Sequence, residues 1–429
     1  MRTQLAEFMR RMEPGSVAVI PAAPEATRSN DTHYRYRQDS DFYYLTGFDE
    51  PEAIAFVAPA HPERKFMLFV RPRDPEQETW TGRRAGVVGA KERHGADAAF
   101  PVTEFREKLA ELLNGARTVY YRLGVHPDLD EALIKQLAEM RTRSRQFTAP
   151  DSITDPGAIL GEMRLVKSDA EIELMQRAAD IGAEAHVLAM QNVRPGMYEY
   201  EIEALIEYHF RKSGAAAPAY GTICGGGANA TILHYITNDA PLRDGDLVLV
   251  DAGAEYQGYA SDITRTFPVN GRFTAPQREI YEAVLAAQTA CVEMVKPSVT
   301  WDDLNDRAAR MLTESMLRLG LLEGDVDRLI EEKTYRRFFM HGVGHFLGLD
   351  VHDAGRYKLD GEPRPLDPGV VVTVEPGIYV AEDAEGVPDR YRGIGVRIED
   401  DVLVTGDGHR VLTSKVPNGI EEIEKLMAH

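Results

Sequence analysis

Apolar positions in residues 1–145 come in short runs. Those at 17–20, 42–45, 53–57, Phe66–Val70 and 118–121 are rich in β-branched and aromatic residues and predict strands. Residues 102–113 and 129–140 carry apolar positions at helical period and predict helices between or after the strands. The pattern predicts a mixed α/β domain. Residues 145–159, RQFTAPDSITDPGAI, then break it with two prolines and several turn formers, which places a boundary at about residue 160 and domains over 1–160 and 161–429.

Beyond the break the period lengthens. KSDAEIELMQRAADIGAEAHVLAM opens a long helix: Ser168 and Glu171 have capping-box spacing, and Ile172, Met175, Ala179 and Gly182 trace one face. A turn at Val193-Arg194-Pro195-Gly196 leads to a second helix over 199–211. The same unit follows with a helix over 276–295, a turn at Lys296-Pro297-Ser298 and a helix over 301–319. The two turn segments, VRPGM and VKPSV, stand 102 residues apart in the same helix–turn–helix context. Two helix pairs, each followed by strands, predict a duplicated α+β architecture with strands at its centre. Two unrelated helical hairpins would give the same five-position match.

Composition narrows the partners. At 429 residues the chain exceeds what one core usually serves, which agrees with two domains. A net charge of −20 argues against nucleic acid or an anionic membrane as partner. Only two cysteines, Cys224 and Cys291, fit a reducing compartment. The N-terminus has no apolar signal region, and no apolar run approaches the roughly 18 residues of a membrane span, so a cytoplasmic location is expected.

The segment 341–353, HGVGHFLGLDVHD, packs three histidines and two aspartates among glycines and apolar residues. It reads either as a His-bearing loop over the core or as a buried metal or acid–base site. Acidic positions elsewhere shift the balance. Asp251 closes the apolar run LVLV, and Asp262 lies on the predicted returning strand, 258–269. A hairpin centred between Tyr256 and Gln257 would set the two carboxylates directly opposite, about 5 Å apart, where they repel unless a proton or cation lies between them. A solvent-facing turn with two acids is the plainer alternative. Glu375 likewise closes the apolar run 370–374, whose predicted partner, IGVRIEDDVLV over 394–404, points Arg397 and Glu399 to one face and Ile398 to the other. That arginine and glutamate form either a plain ion pair or a support for a ligand carboxylate. Asp251, Asp262, Glu375, Glu399 and one histidine are too many for a single tetrahedral zinc site. They suit a pair of divalent ions, Mn²⁺ best, with Co²⁺, Zn²⁺ or Fe²⁺ also compatible.

In order and context, Asp251, Asp262, His345, Glu375 and Glu399 resemble the five metal ligands of the pita-bread metallopeptidases, through LVLVDAGAEYQGYASDITRTFPV, FFMHGVGHFLGLDVHD, VTVEPGIYV and GIGVRIEDD. YRYRQDSDFYYLTGFDEPEA and ETWTGRR extend the likeness through the first domain to the bacterial aminopeptidases P. The resemblance implies an α/β N-terminal domain serving substrate access and oligomerisation, followed by an α+β pita-bread catalytic domain with an internal pseudo-twofold. Asp251 would chelate one ion, His345 and Glu375 the other, and Asp262 and Glu399 would bridge. His234, His341 and His352 would contact substrate and steady the tetrahedral intermediate. Arg397 and Thr264 would support the ligands from behind. Tyr220 and Tyr379 would line the pocket, Asp41 would lie close to an active site, and Trp80 would reach that of a neighbouring subunit in a tetramer or dimer.

The activity so implied is release of the first residue from peptides with proline second, using water activated by two metal ions, with Glu375 passing a proton to the leaving nitrogen. A prolidase confined to Xaa-Pro dipeptides is the nearest alternative. A non-catalytic peptide-binding module and a metal-free hydrolase of the creatinase type are the others.

Overall fold

A computed structural model describes residues 3–428, and the chain divides into two compact units, Met1–Met163 and Arg164–His429. In the first, six strands form one mixed sheet in the order Ala98–Pro101, Phe66–Val70, Ile54–Val57, Val17–Pro21, Thr118–Tyr120, Ser152–Thr154. Every residue of Phe66–Val70 is buried, as expected of a strand covered on both faces. Val19, Phe56, Phe69, Phe105, Leu109 and Leu137 share one core between the sheet and the helices Phe105–Leu113 and Pro127–Thr142.

Two expectations for this unit fail. The aromatic run 42–45 is helical, within Ser40–Thr46, because local caps override strand propensity. Asp39 accepts from the Phe42 N–H at 2.8 Å, and Gly47 closes the helix in the left-handed region at φ 58°. The segment 145–159 is not merely a break: Ser152–Thr154 adds an edge strand parallel to Thr118–Tyr120.

The second unit repeats a helix–helix–strand plan. Asp169–Asn192 and Glu199–Lys212 precede strands Ile223–Gly226, Leu247–Asp251 and Thr264–Pro268; Ala275–Met294 and Trp301–Arg318 precede Val371–Val374, Asp400–Val404 and His409–Val411. Each half holds a three-stranded antiparallel sheet with one of the long apolar strands in it. Ser168 and Thr274 cap the two long helices with Glu171 and Gln277 as reciprocal partners. One core joins both halves, including Ile206, Val248, Val250, Phe267, Val372 and Val402. Among the described residues no helix is long and apolar enough to cross a membrane.

The hairpin after Asp251 turns one position later than expected. Gln257 (φ 49°) and Gly258 (φ 86°) form the turn between the paired Tyr256 and Tyr259, a two-residue connection whose central residues both take positive φ. Asp251 therefore faces Thr264, and Asp262 lies two residues away. An even displacement keeps side chains on one face, so the carboxylates still converge. The expected partner of the 370–374 run also divides. Asp400–Val404 pairs with Val371–Val374, whereas Ile394–Arg397 pairs with Gly377–Val380. The step between them falls at Ile398-Glu399.

His186, on the Asp169–Asn192 helix, is fully buried beside the first central sheet, with Nδ1 2.9 Å from Gly182 O. Burial lowers its pKa from 6.5 to about 4. The neutral form is the one the fold accepts, so its contribution to stability is complete above pH 6.5 and is lost as pH falls towards 4, amounting to about 3 kcal/mol. Chemical denaturation of the wild type and of His186→Leu at pH 7 and pH 4.5 should show a smaller acid loss in the variant. Equal losses would rule out His186 as a contributor.

Candidate metal centre

Asp251 is the last residue of a strand buried at every position, so its carboxylate emerges from the core. Asp262 stands in the gap between Tyr259–Ala260 and Thr264–Pro268. The Tyr220 hydroxyl lies 2.5 Å from Oδ1 of both aspartates and, with one proton, donates to one at a time. From the second half, the step after Arg397 delivers Glu399. Thr264 Oγ1 donates to Glu399 Oε2 at 2.5 Å and accepts from Arg397 Nε at 3.1 Å, while Arg397 Nη2 donates to Asp251 Oδ2 at 2.5 Å. Thus Arg397 and Thr264 tie a carboxylate of one half to a carboxylate of the other.

His345 comes from a loop laid against Val371–Val374. At Gly344 (φ 155°) a Cβ would sit 2.1 Å from Thr373 O, so only glycine permits the approach. The His345 N–H donates to Thr373 Oγ1 at 2.9 Å. Its ring Nδ1 is 3.0 Å from Phe346 O, and Nε2 lies 3.4 Å from Asp262 Oδ2 and 3.6 Å from Glu375 Oε1. With the Nδ1 proton held by the carbonyl, Nε2 is the nitrogen that would bind a metal ion on giving up its own proton. Asp262, His345 and Glu399 each offer a ligand atom within 4.8 Å of the others. All five residues expected as ligands line one cavity of about 780 Å³.

The electrostatics show what this set lacks. Burial, then repulsion from Asp262 and Asp251, raises Glu375 to about 7. Burial, together with Asp262, Glu375 and Asp251, holds Glu399 well above the carboxylate range, and Asp262 is raised by burial and by Asp251. Burial works against a charged His345, yet the Asp262 and Glu375 carboxylates lift it to about 9. Anions crowded in this way call for positive charge among them, and oxygen donors with one imidazole fit divalent cations.

The other expected residues separate into groups. His234, His341 and His352 line the cavity. Burial and the Arg397 charge lower His341 to about 4, and burial and His345 lower His352. The His352 ring packs edge-on to His345, with centroids 4.3 Å apart. Tyr379 is not part of the lining. It is 2% exposed behind it, where its hydroxyl accepts from Arg397 Nη1 at 3.1 Å and lies 2.7 Å from His341 Nε2. Tyr220 does line the cavity, but its hydroxyl is engaged by the aspartates. In the first unit, Asp41 is buried and bonded to Arg122 Nη2 at 3.1 Å, and Trp80 lies in the last turn of the helix Pro75–Thr81 with 86% of its surface exposed.

Several supports lie outside the residues expected from the sequence. Asp401 accepts the Asp262 N–H at 3.1 Å. Arg265, fully buried, donates to Glu399 O at 2.6 Å and Asp400 Oδ1 at 2.7 Å. Three consecutive acids in the apolar strand IEDDVLV were the available signal, because each needs a buried partner. Behind His352, Asp353 accepts from Arg164 Nη2 at 2.6 Å and Lys167 Nζ at 2.9 Å. Burial alone would raise Asp353, but the charges of Lys167 and Arg164 hold it below its ordinary value.

The model for metallopeptidase family M24 matches residues 173–406, and that for the aminopeptidase P N-terminal domain matches residues 1–120. The Xaa-Pro aminopeptidase of Escherichia coli (strain K12) is 48% identical over 98% of this chain and 97% of its own. The solved structure of Pseudomonas aeruginosa aminopeptidase PepP matches with a TM-score of 0.97 at 49% identity, covering 99% of this chain and 96% of that one. E. coli aminopeptidase P with the inhibitor Pro-Leu matches at 0.95 and 48%, with the same coverage. A duplicated α+β unit around a buried acid–imidazole cluster is the architecture of a pita-bread metallopeptidase. The chain belongs to metallopeptidase family M24, with an N-terminal domain of the aminopeptidase P type.

Removing Asp353 would leave Lys167 and Arg164 buried without their shared anion. Asp353→Ala should lower unfolding free energy by about 3–5 kcal/mol, read from urea denaturation. A change under about 1 kcal/mol would mean that the cluster does not hold the 350–353 turn.

Proposed function

We propose that the protein is a metal-dependent aminopeptidase that releases the first residue of peptides whose second residue is proline. The observation that carries this is the gathering of Asp251, Asp262, His345, Glu375 and Glu399 on one cavity, in a chain alike over its whole length to Xaa-Pro aminopeptidases. These five side chains would hold two divalent ions, Mn²⁺ before Co²⁺ or Zn²⁺. When bound, the ions supply Lewis acidity and lower the pKa of the hydrolytic water.

The chain's own residues do the rest. Glu375, 3.6 Å from His345 and 3.7 Å from His341, accepts the water proton and delivers it to the proline nitrogen as the bond breaks. His352 and His234, on the cavity wall, donate N–H to the developing oxyanion and to the substrate carbonyl. The Arg397–Tyr379–His341 chain fixes the third imidazole: Arg397 donates to the Tyr379 oxygen, and the Tyr379 proton goes to Nε2. Ile223, Leu233, Ile236, Val351 and Tyr357 give the cavity the apolar wall that a pyrrolidine ring prefers to water.

The first domain, 1–160, would shape substrate access and assemble a homo-oligomer, a tetramer or dimer in which Trp80 meets a neighbouring subunit. Its exposure suits that use. Asp41 would stand near the substrate path, and the enzyme would work in the cytoplasm, in keeping with two unpaired cysteines.

The test is product analysis on metal-stripped protein with Mn²⁺ added back, offering an Xaa-Pro-Yaa tripeptide beside an Xaa-Pro dipeptide. Release of the first residue from the tripeptide, only with metal, is expected. Cleavage of the dipeptide alone would make it a prolidase. Glu399→Ala should lose turnover by at least about 10³-fold with its circular dichroism unchanged, and near-normal activity would sink the ligand assignment.

A further inference from the structure

The segment 226–240 carries Leu233, His234 and Ile236 into the cavity wall, and one buried side chain fastens it at four residues. Glu199 opens the helix Glu199–Lys212 and is fully buried. Its Oε1 accepts from Gly226 N at 2.7 Å and from Asn229 Nδ2 at 3.0 Å. Its Oε2 accepts from the Tyr235 hydroxyl at 2.9 Å and from Ala240 N at 2.9 Å. The Glu199 N–H returns a bond to Ala240 O at 3.0 Å. Both ends of the segment and the residue next to His234 therefore converge on one carboxylate.

The same helix face continues the attachment. Glu203, one turn on, accepts from Asn238 Nδ2 at 2.9 Å, and Asn238, buried at φ 48°, donates to Thr222 O and accepts from Cys224 N. Glu207, a turn further, accepts from Thr222 Oγ1 at 3.3 Å. Positions i, i+4 and i+8 share a face, so a row of three glutamates lies along the segment and its strand. Carboxylates are seldom buried without partners, and four donors on Glu199 meet that requirement with no ligand involved. His234, by contrast, is exposed to the cavity, and its place depends on the backbone either side of it.

We propose that Glu199 is a positioning residue for His234: by bonding the 226–240 segment at both ends and at Tyr235, it fixes where the imidazole meets the peptide. The proposal rests on the aminopeptidase reading and adds to it a residue with no place among the cavity-lining side chains. Glu199→Gln keeps the size but turns one acceptor oxygen into a donor that faces two donors, so two bonds fail at once.

The test is a double-mutant cycle in the full-length protein: wild type, Glu199→Gln, His234→Ala and the pair. It is read as kcat/KM on a tripeptide with Mn²⁺ and as the Kd of that tripeptide for metal-stripped protein. Amide exchange over 226–240 is followed alongside. In the His234 background Glu199→Gln should cost about 30-fold; with His234→Ala already present it should cost under about 3-fold. Exchange should quicken across 226–240 and stay unchanged in Asp400–Val404. Equal costs in both backgrounds, or unaltered exchange in the segment, would overturn the proposal. Should Glu199→Gln fail to fold, Tyr235→Phe, which removes one of the four bonds, is carried through the same cycle with an expected cost of about 5-fold. A wild type that cleaves no proline peptide while the segment's exchange still responds would mark failure of the aminopeptidase reading, leaving Glu199 as a fastening of the segment and overturning its positioning role in the reaction.

Discussion

Asp251, Asp262, Glu375, Glu399 and Asp401 stand in or beside one buried seam, and their mutual repulsion is the constraint around which the second unit is built. In this low-dielectric interior, burial and the neighbouring carboxylates raise the pKa values of Asp262, Glu375, Glu399 and Asp401. The structure offers partial compensation from every side. Arg397 bonds Asp251, the Thr264 hydroxyl reaches Glu399, the Tyr220 hydroxyl sits between two aspartates, and the Asp262 N–H meets Asp401. What remains uncompensated is a cavity-facing set of oxygens with one imidazole nitrogen among them. Divalent cations answer that need, and a buried acid cluster makes physical sense in a metallopeptidase.

The duplication explains how such a cluster can be held. Each half ends a buried apolar strand in an acid, Asp251 in one and Glu375 just past Val374 in the other. A strand terminus inside a packed sheet fixes a carboxylate more firmly than a loop would, because the backbone ladder and core set its position together. The two halves then cross-link through side chains. Arg397 reaches from the second half to Asp251 of the first, and Arg265 reaches from the first to the Glu399 carbonyl and Asp400 of the second. Neither half alone would satisfy its buried charges, which gives a physical reason for the domain to exist as a pair.

Much of this was legible in the chain. Long helices announced themselves through Ser168 and Glu171 and through steady apolar spacing, and LVLVD and VVTVE marked strands that close on an acid. Register was harder to read. The choice between turning at Tyr256-Gln257 and at Gln257-Gly258 moves Asp251's partner from Asp262 to Thr264, and it was decided by which residues take positive φ. Likewise, the 42–45 run carries strand-forming residues, but Asp39 and Gly47 decide for helix through caps that an aromatic run does not reveal. Side-chain partnerships between distant segments were the least accessible. Nothing in the spacing of Tyr379 and His341, or of Asp353 and Lys167, shows that they touch.

Those partnerships also separate two kinds of site residue. The four carboxylates expected as ligands lie at the end of a buried strand, as Asp251 and Glu375 do, or in the short gaps between strands, as Asp262 and Glu399 do, where the core fixes the backbone on either side. His234, His341 and His352 ride on loops, where a side chain's place depends on what fastens the backbone nearby. Each loop has such a fastening. His341 is met by the Tyr379 hydroxyl, the turn that carries His352 is anchored by Asp353 on Lys167 and Arg164, and the segment around His234 converges on Glu199. All three use buried polar groups with their partners present, and such contacts lose most when one member is removed. On the aminopeptidase reading, holding proline and the scissile carbonyl in register would call for this division: a rigid floor of carboxylates, and walls whose loops are fastened one by one.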